Sequence, residues 1–592
     1  MIVVDIETDG LRPKTIWCCC CYNPSEDSFQ VFHEDSKEAC KEYLEKQDLI
    51  IAHNGINFDF PVLKQLWDVE LKVAQVYDTL VASRLADPKR ESGHSLAEWG
   101  KKLGVYKDHY EDWTQWTKEM EEYCCQDCRV CYAVYRKVLT ELEGFSPYSV
   151  QIEMRSQWIL SQQHYNGFGF NLEEAVALRN KMLDEYFPLI QKLQEAFPPR
   201  KTLIGQYKAR RRKDGSLTAK SAEIVLRENV EPSDEKDVYN VYEYKEFLID
   251  SPQEIRERLD PYWHPVIWNK PTKDGSVTAK VCEENLRTVD ENAPEAIKDI
   301  VRCKILKSRS TLVQSFIDAC WEDGRVHGDV ISCGASSHRM AHRNPNTGNI
   351  ASPKSLYGKE CRALFRAPEG KVIVGCDLAG IQLRALAHYC NDPELIEQIL
   401  SGDIHIHLAK VYGLIPENAT EEETKKGRTR GKTVTYAILM GAGAAKIGQL
   451  VGGDAKKGRE IMRRLEAGIH GWSKFKTGIE MRAKVGFFKA LDGRRVKLSN
   501  AHLGMSFYLQ SFEQAVIKLA MYKYHQKLHK LGVDFKQVAV VHDEFQVECS
   551  EKDADTVGQT ICEAMTEAGE ALKVRIRIDG EYKKGLNWFE TH

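Results

Sequence analysis

Apolar and polar positions along the 592 residues change period several times. The run Ile2–Ile6 reads as a buried strand, Trp17–Tyr22 as a second and Asp48–His53 as a third. Helix-period stretches lie between them, so residues 1–145 are expected to form an α/β layer. From Ser149 to Gln194 the spacing turns helical. Residues 200–280 mix Gly, Pro and basic runs, and KDGSLTAK at Lys213–Lys220 returns as KDGSVTAK at Lys273–Lys280. Two copies fall short of a solenoid and predict a local duplication or two turn-then-helix elements. Helices are expected at Glu295–Trp321, Ile381–Ile399, Thr424–Leu439 and Met505–Leu531. A loop and strand should span Arg362–Asp377, and a strand–turn–strand unit Val538–Cys549. A chain this long outgrows one core, so three or four packed units are expected.

Composition adds little until it is read locally. Apolar residues make up 42% and charged residues 29%, which is ordinary for a globular protein. No apolar run approaches the ~20 residues of a membrane span, and MIVVDIETDG lacks the pattern of a signal peptide. A cytoplasmic protein is expected (host-cell cytoplasm if viral), with no membrane partner. The net charge is only −4, yet Arg200–Lys213 holds seven basic residues and no acid, and Lys425–Lys432 five and none. Such clusters track phosphates or simply form solvated faces. Of the 18 cysteines, Cys18 to Cys21 are consecutive. Neighbours in a strand point to opposite faces and cannot all close on one ion. Cys125 and Cys128 sit in a helical stretch with no second pair at zinc-ribbon distance, so reduced core thiols are expected.

The sharper chemistry starts at the first strand. Asp5 and Glu7, two apart, leave the same face, and a face-sharing carboxylate pair on a buried strand is costly unless cations neutralise it. Asp59 ends HNGINFD and Asp127 ends Tyr123-x-x-x-Asp127. Four carboxylates from three segments can hold two divalent ions and activate water against a phosphodiester. Three further segments suggest a second activity. KVIVGCD ends in Asp377 and runs into a helix. Arg428, Lys432, Tyr436 and Met440 recur every four residues, lining one helical face with cations at one end and a ring beyond, which suits a nucleoside triphosphate. VAVVHDEFQVEC sets His542, Asp543 and Glu544 between two apolar runs, where acids alone would read as turn residues.

DIET, HNG-x-x-x-D and Y-x-x-x-D resemble the three exonuclease motifs of the DEDD superfamily, tyrosine subtype. The resemblance implies that Asp5, Glu7, Asp59 and Asp127 are metal ligands and that Tyr123 orients the attacking water. The later segments resemble motifs A, B and C of family A DNA polymerases, in order, and the likeness to replicative polymerases of T-odd short-tailed phages covers nearly the whole chain. Gly402-Asp-Ile-His405, Leu491-Asp-Gly-Arg494, Leu509-Gln510-Ser511 and the final His592 are further echoes. By this resemblance Asp377 and Asp543 bind two Mg²⁺ ions, as does the exonuclease site, with Mn²⁺ an alternative. Arg428, Lys432 and His405 grip the triphosphate, Lys432 as proton donor to pyrophosphate. Tyr436 packs on sugar and base. Arg339, Gln510 and His542 touch the primer–template minor groove, and Glu544 is accessory. Two departures stand out: Gln382 and Met440 replace the family's usual Glu and Tyr on the floor of the nucleotide pocket. A thioether cannot donate to a carboxylate, so the paired change is coherent.

The expected fold is multidomain, α/β and α+β: an RNase H-like exonuclease domain at 1–145 and a right-hand polymerase domain. Its helical thumb spans 146–325 with a basic insertion near 200–245, and palm and fingers span 326–592, the fingers at about 383–500. The expected function is template-directed DNA synthesis from dNTPs on a primer–template with 3′→5′ proofreading. The relatives carry a basic thumb insertion that recruits host thioredoxin. The stretch Lys201–Lys220 stands in the corresponding place, so a processivity factor such as thioredoxin is an expected partner, with electrostatic grip on duplex DNA the other reading. A replicative helicase–primase is a further expected partner. A single-subunit RNA polymerase shares the Lys-then-Tyr helix logic but not the proofreading motifs. A decayed DNA-binding scaffold should first lose its mutually repelling carboxylates, and all six are present.

Overall fold

The computed structural model describes every residue except Asp108, Val266, Lys270, Pro271, Lys273 and Asp274. The first two residues of the second KDGS copy, Lys273 and Asp274, therefore lie outside the described residues. Two compact units result. The larger comprises residues 1–171, 319–350 and 362–592, the smaller 172–318 and 351–361.

Within the larger unit the N-terminal residues build a five-stranded sheet of order β3-β2-β1-β4-β5, where β1 is Ile2–Thr8, β2 Ile16–Asn23, β3 Ser28–Phe32, β4 Ile50–Ala52 and β5 Val76–Asp78. β1 to β3 are antiparallel neighbours, while β4 and β5 continue from β1 in parallel. This is the RNase H-like order that the resemblance implied. Strands β3 and β5 escape the hydrophobic pattern because each is short, and β3 is largely exposed. The helix Lys118–Glu141, opened by Thr117 accepting from the Met120 amide, buries Cys124, Cys128, Val130, Val134 and Val138.

The C-terminal part centres on a four-stranded antiparallel sheet. Its order is Phe535–Val541, Glu544–Ser550, Lys371–Leu378, Gly580–Gly585. The long helix Ala501–Lys530 and the helix Ala554–Ala571 bury apolar faces in the same core as Val374, Cys376, Phe545 and Val547. One expected helix is really two: Ile381–Cys390 stops where Asn391 turns left-handed, and Asp392 caps a new helix with Pro393 at its first position. Likewise Gly167 ends Pro147–Asn166 before Leu172–Ala196 begins.

In the smaller unit the helices Leu172–Ala196 and Glu295–Asp318 pack as a pair. The basic stretch that read as an irregular insertion is a three-stranded antiparallel sheet of Arg200–Lys208, Val238–Lys245 and Val230–Pro232, with Arg200–Lys208 at an edge. The alternation in Val238–Lys245, VYNVYEYK, was the available signal. Several of the cations are answered locally: Arg200 pairs with Glu257, Lys201 with Glu231 and Arg211 with Asp237. Both KDGS copies turn on a glycine with positive φ, Gly215 and Gly275.

A buried charge cluster ties distant parts of the larger unit together. Lys518 Nζ lies 2.8 Å from Glu153 Oε1, and Arg494 Nη1 2.8 Å from Glu153 Oε2. Arg494 also grips Asp492 at 2.6 Å, fixing the Leu491–Arg494 turn. Burial alone would raise the Glu153 carboxyl, but Lys518 and Arg494 outweigh it and hold it at about 2. Its ordinary value is about 4.3. This contribution to stability is present above that value and is lost as pH falls toward 2. Glu153→Gln leaves buried Lys518 without a carboxylate, while Arg494 keeps Asp492, and should lower stability by roughly 3 kcal/mol. Thermal unfolding of the full chain at pH 7 reads this; an unchanged midpoint would mean the cluster stabilises nothing.

Candidate active sites

The first site stands where the polar ends of β1 and two helices meet. Asp5 and Glu7 leave one face of β1, and both carboxylates lie within 4.8 Å of each other and of Cys124 Sγ. Asp59 opens the helix Asp59–Trp67, and its Oδ1 accepts from the Ile6 amide at 3.2 Å. The HNG loop before it is pinned by buried Asp78, which accepts from the amides of Asn54, Ile56, Leu80 and Val81 at 2.9–3.2 Å. Gly55 is required there, since a Cβ would come 2.4 Å from that of Ala52. Tyr123 and Asp127 sit one turn apart on Lys118–Glu141.

Burial and mutual repulsion dominate this cluster. Burial, then Glu7, Asp59 and Asp127, hold the Asp5 carboxyl well above the usual range. Burial, Cys18 and Asp127 push Glu7 up to about 9. Asp59 is raised to about 7, chiefly by burial and then by Asp78. A compact acid group this unfavourable fits divalent cations. One cation is already nearby: Lys107 pairs with Asp127, its ammonium 4.5 Å from the centre of the Tyr123 ring. Sequence reading missed Lys107, which lies 20 residues from its partner.

A 680 Å³ cleft beside the HNG loop is lined by Arg12, Lys14, Phe58, Arg84, Trp321 and Arg343, among others. Arg12 lies 4.0 Å over the Trp321 ring, which stacks on His327 at 3.6 Å. Cations among aromatic faces suit a single nucleic-acid strand.

The second site stands on the C-terminal sheet. Asp377 pairs in register with Glu544, and the Leu378 amide donates to Asp543 O at 3.1 Å, so the tip of the hairpin is bound to the strand end. His542 takes φ +57° in the two-residue turn, where glycine is ordinarily preferred. Burial, then Asp377 and Glu513, raise Asp543 to about 8; burial and then Glu544 raise Asp377 to about 6. Glu544 differs. It is buried, yet bonds from His592 Nδ1 at 2.9 Å and Trp588 Nε1 at 2.7 Å help keep it low. Each of its two carboxylate oxygens is thus engaged by one of these neighbours.

The helix Glu421–Leu439 starts with a Thr420–Glu423 capping box. Arg428 Nε binds Asp403 Oδ2 at 2.7 Å, and Asp403 caps the helix Ile404–Val411, which bears His405. Close helix contact sets this geometry: a Cβ on Gly431 would meet that of Ala409 at 2.6 Å. Lys432 is exposed and Tyr436 half-buried. Asp543 and Asp377 both help raise the Tyr436 hydroxyl after burial, so the ring faces the acid pair. His405 lies with its ring 6.2 Å from that of Tyr436. Gln382 keeps a buried Oε1 with no hydrogen-bond partner among the described residues, while Met440, at the end of the helix, is 44% exposed. Arg339 Nε binds buried Glu513 at 3.0 Å, a partner that the sequence did not reveal. Gln510 is half-buried on the same long helix and His542 is exposed at the hairpin tip.

Comparison with known proteins follows this geometry. The family model for DNA polymerase family A matches residues 219–590, and the RNase H superfamily model residues 2–139. The chain is 27% identical to the DNA-directed DNA polymerase of Enterobacteria phage T3 and to that of Escherichia phage T7. Each alignment covers all of both chains. DNA polymerase I of Caldicellulosiruptor bescii is 31% identical over 58% of this chain and 41% of its own. Among solved structures, the POL domain of Pol1 from M. smegmatis, in complex with DNA primer-template and dNTP, aligns with TM-score 0.75 at 17% identity. That match covers all of this chain and 96% of the other.

A raised carboxyl opposes folding once ionised. For Asp543 the cost begins near its ordinary value of about 3.9 and is complete above about 8. In chelator at pH 8.5, Asp543→Asn should therefore be more stable than wild type by roughly 2 kcal/mol, with the gain vanishing near pH 4. Added Ca²⁺ should raise the wild-type Tm more than the variant's. Equal melting of the two proteins in chelator would refute the repulsion argument.

Proposed function

The chain belongs to DNA polymerase family A and carries an RNase H-like domain at its N-terminal end, and from that premise we propose the assignment of residues to its two activities. It is a DNA-directed DNA polymerase with an associated 3′→5′ exonuclease. Among the described residues, no helix is long and apolar enough to cross a membrane. The observation that carries the site assignment is the approach of Asp377 on a strand, Asp543 at a hairpin tip and Tyr436 on a helix.

Asp377 and Asp543 hold the divalent ions of synthesis, and Asp5, Glu7, Asp59 and Asp127 those of proofreading. Two Mg²⁺ ions per site would polarise the attacking oxygen and neutralise the leaving group. Arg428, Lys432 and His405 grip the triphosphate. For Arg428 this means exchanging Asp403 for a phosphate, a like-for-like anionic partner. Lys432, exposed on the same helix, gives pyrophosphate a proton. Tyr436 closes over sugar and base, and the free Oε1 of Gln382 offers an acceptor at the pocket floor. Arg339, Gln510 and His542 read the minor groove of the primer–template. In the exonuclease site Tyr123 orients the attacking water, and Asp127, now paired with Lys107, would be one of the ligands of divalent ions there. The cleft at Trp321 guides the single-stranded 3′ end. The thumb is the segment 146–325, and the palm and fingers 326–592, with the fingers near 383–500. The exposed edge strand Arg200–Lys208 is the docking place for a processivity factor such as thioredoxin, and a helicase–primase would act ahead of the fork.

A 5′-labelled primer on a longer template, with Mg²⁺, separates these roles. Extension with dNTPs should be lost in Asp543→Ala, and shortening without them lost in Asp5→Ala, each variant keeping the other activity. Loss of both activities in either variant would sink the two-site assignment. In the same assay thioredoxin should lengthen products at fixed salt; unchanged lengths would remove it as a partner.

Two residues set nucleotide choice. Tyr436→Phe should restore discrimination against dideoxynucleotides by about 10²-fold or more, since the phenol replaces a missing 3′-hydroxyl's bonding. Gln382→Ala should admit ribonucleotides. Equal dideoxy discrimination in wild type and Tyr436→Phe, or unchanged ribonucleotide use in Gln382→Ala, would each cancel the corresponding role.

A further inference from the structure

Nucleotide chemistry leaves a group of thiols in the N-terminal sheet without a task. The four cysteines of β2 alternate. Cys19 and Cys21 face one side, where Cys40 neighbours Cys19, while Cys18 and Cys20 face the other. On that second side the helix Lys118–Glu141 supplies Cys124 and Cys125. The Sγ atoms of Cys18, Cys20 and Cys124 all lie within 4.8 Å of one another, in three buried residues. Cys125 Sγ is 3.5 Å from Cys20 Sγ and only half-buried.

Zn–S bonds of about 2.3 Å place tetrahedral sulfurs about 3.8 Å apart; Cys18, Cys20 and Cys124 approach that spacing, and Cys125 reaches it to Cys20. Their other partners are weak: Cys20 Sγ reaches Glu121 O at 3.8 Å and Cys124 Sγ reaches Asp5 O at 3.4 Å. Sulfur donors favour Zn²⁺ and reject Mg²⁺, which demands oxygen. The hard and soft groups therefore adjoin at Cys124, whose Sγ lies 3.5 Å from Asp5 Oδ2. Strand alternation disqualified four consecutive cysteines from one ion, and that argument holds. What the sequence hid is that the second pair comes from a helix more than a hundred residues away.

We propose that Cys18, Cys20, Cys124 and Cys125 form a structural zinc site fastening β2 to the helix that bears Tyr123 and Asp127. Zn²⁺ binds as the four thiols lose their protons to solvent, leaving a tetrathiolate centre of charge −2. Cys125 gives the ion its way in. By locking the helix against the sheet, the centre positions Asp127 and Tyr123 relative to Asp5 and Glu7 without touching substrate.

The full chain, purified without chelator from zinc-supplemented culture and dialysed into Mg²⁺, is analysed by elemental mass spectrometry. One zinc per chain is expected, falling about tenfold in Cys18→Ser/Cys20→Ser and unchanged in Cys40→Ser, which lies on the opposite face. Reconstitution with Co²⁺ should give a thiolate-to-cobalt charge-transfer band that survives Asp5→Asn, because carboxylates give no such band. Should the double variant fail to fold, Cys125→Ser tests the same point through faster zinc loss to a chelator. Wild type free of zinc, zinc retained by the cysteine variants, or cobalt bound without the band would overturn the proposal.

Discussion

Repulsion between buried carboxylates is the constraint around which both sites are built. Asp5 and Glu7 on one strand, and Asp377 and Asp543 across a strand end and a hairpin tip, are held close by backbone hydrogen bonding that does not yield to their charge. A flexible scaffold would let them part. Here the sheet cores behind them are fully buried, so the unfavourable electrostatics is retained and is available to bind cations. Supporting acids are treated in the opposite way. Asp78 is satisfied by four amides, Glu544 by Trp588 and His592, and Glu153 by two buried cations. Glu153 and Glu544 are held low by those partners, while burial and neighbouring acids raise Asp5, Asp377 and Asp543.

The same contrast explains how much could be read beforehand. Asp5, Glu7, Asp377 and Asp543 were legible because strand alternation and the end of an apolar run are local facts. The Arg428–Tyr436 face was legible from its four-residue period. What could not be read was pairing at long range. Lys518 meets Glu153 across 365 positions and Arg339 meets Glu513 across 174. Nothing local in either sequence marks the partner. The sheet at 200–245 is a different failure, since charge drew attention away from an alternation that was present in VYNVYEYK.

Gly427 and Gly431 set the placement of the helix Glu421–Leu439. In RTRGKTVTY the cations and the ring draw the eye, but the two glycines decide where that face points. Gly427 lies against Ile415 and Gly431 against Ala409, so the helix rests close on Ile404–Val411. That contact brings His405 beside Tyr436 and lets Asp403 hold Arg428. Side chains of the motif thus depend on backbone approach, which only residues without a Cβ permit.

The paired change at Gln382 and Met440 follows from the same accounting of satisfied groups. In the family the side chains at these two positions hydrogen-bond, so a glutamate at 382 calls for a hydroxyl donor at 440 to hold it. With a thioether there, no donor is available, and a charged 382 would be unpaired. The neutral amide avoids that cost while leaving its Oε1 open for a ligand hydroxyl. Changing only one of the two positions toward the usual family residue is therefore worse than changing neither. Gln382→Glu alone puts a charge where the buried Oε1 has no hydrogen-bond partner among the described residues, and Met440→Tyr alone adds a hydroxyl at a position that is 44% exposed.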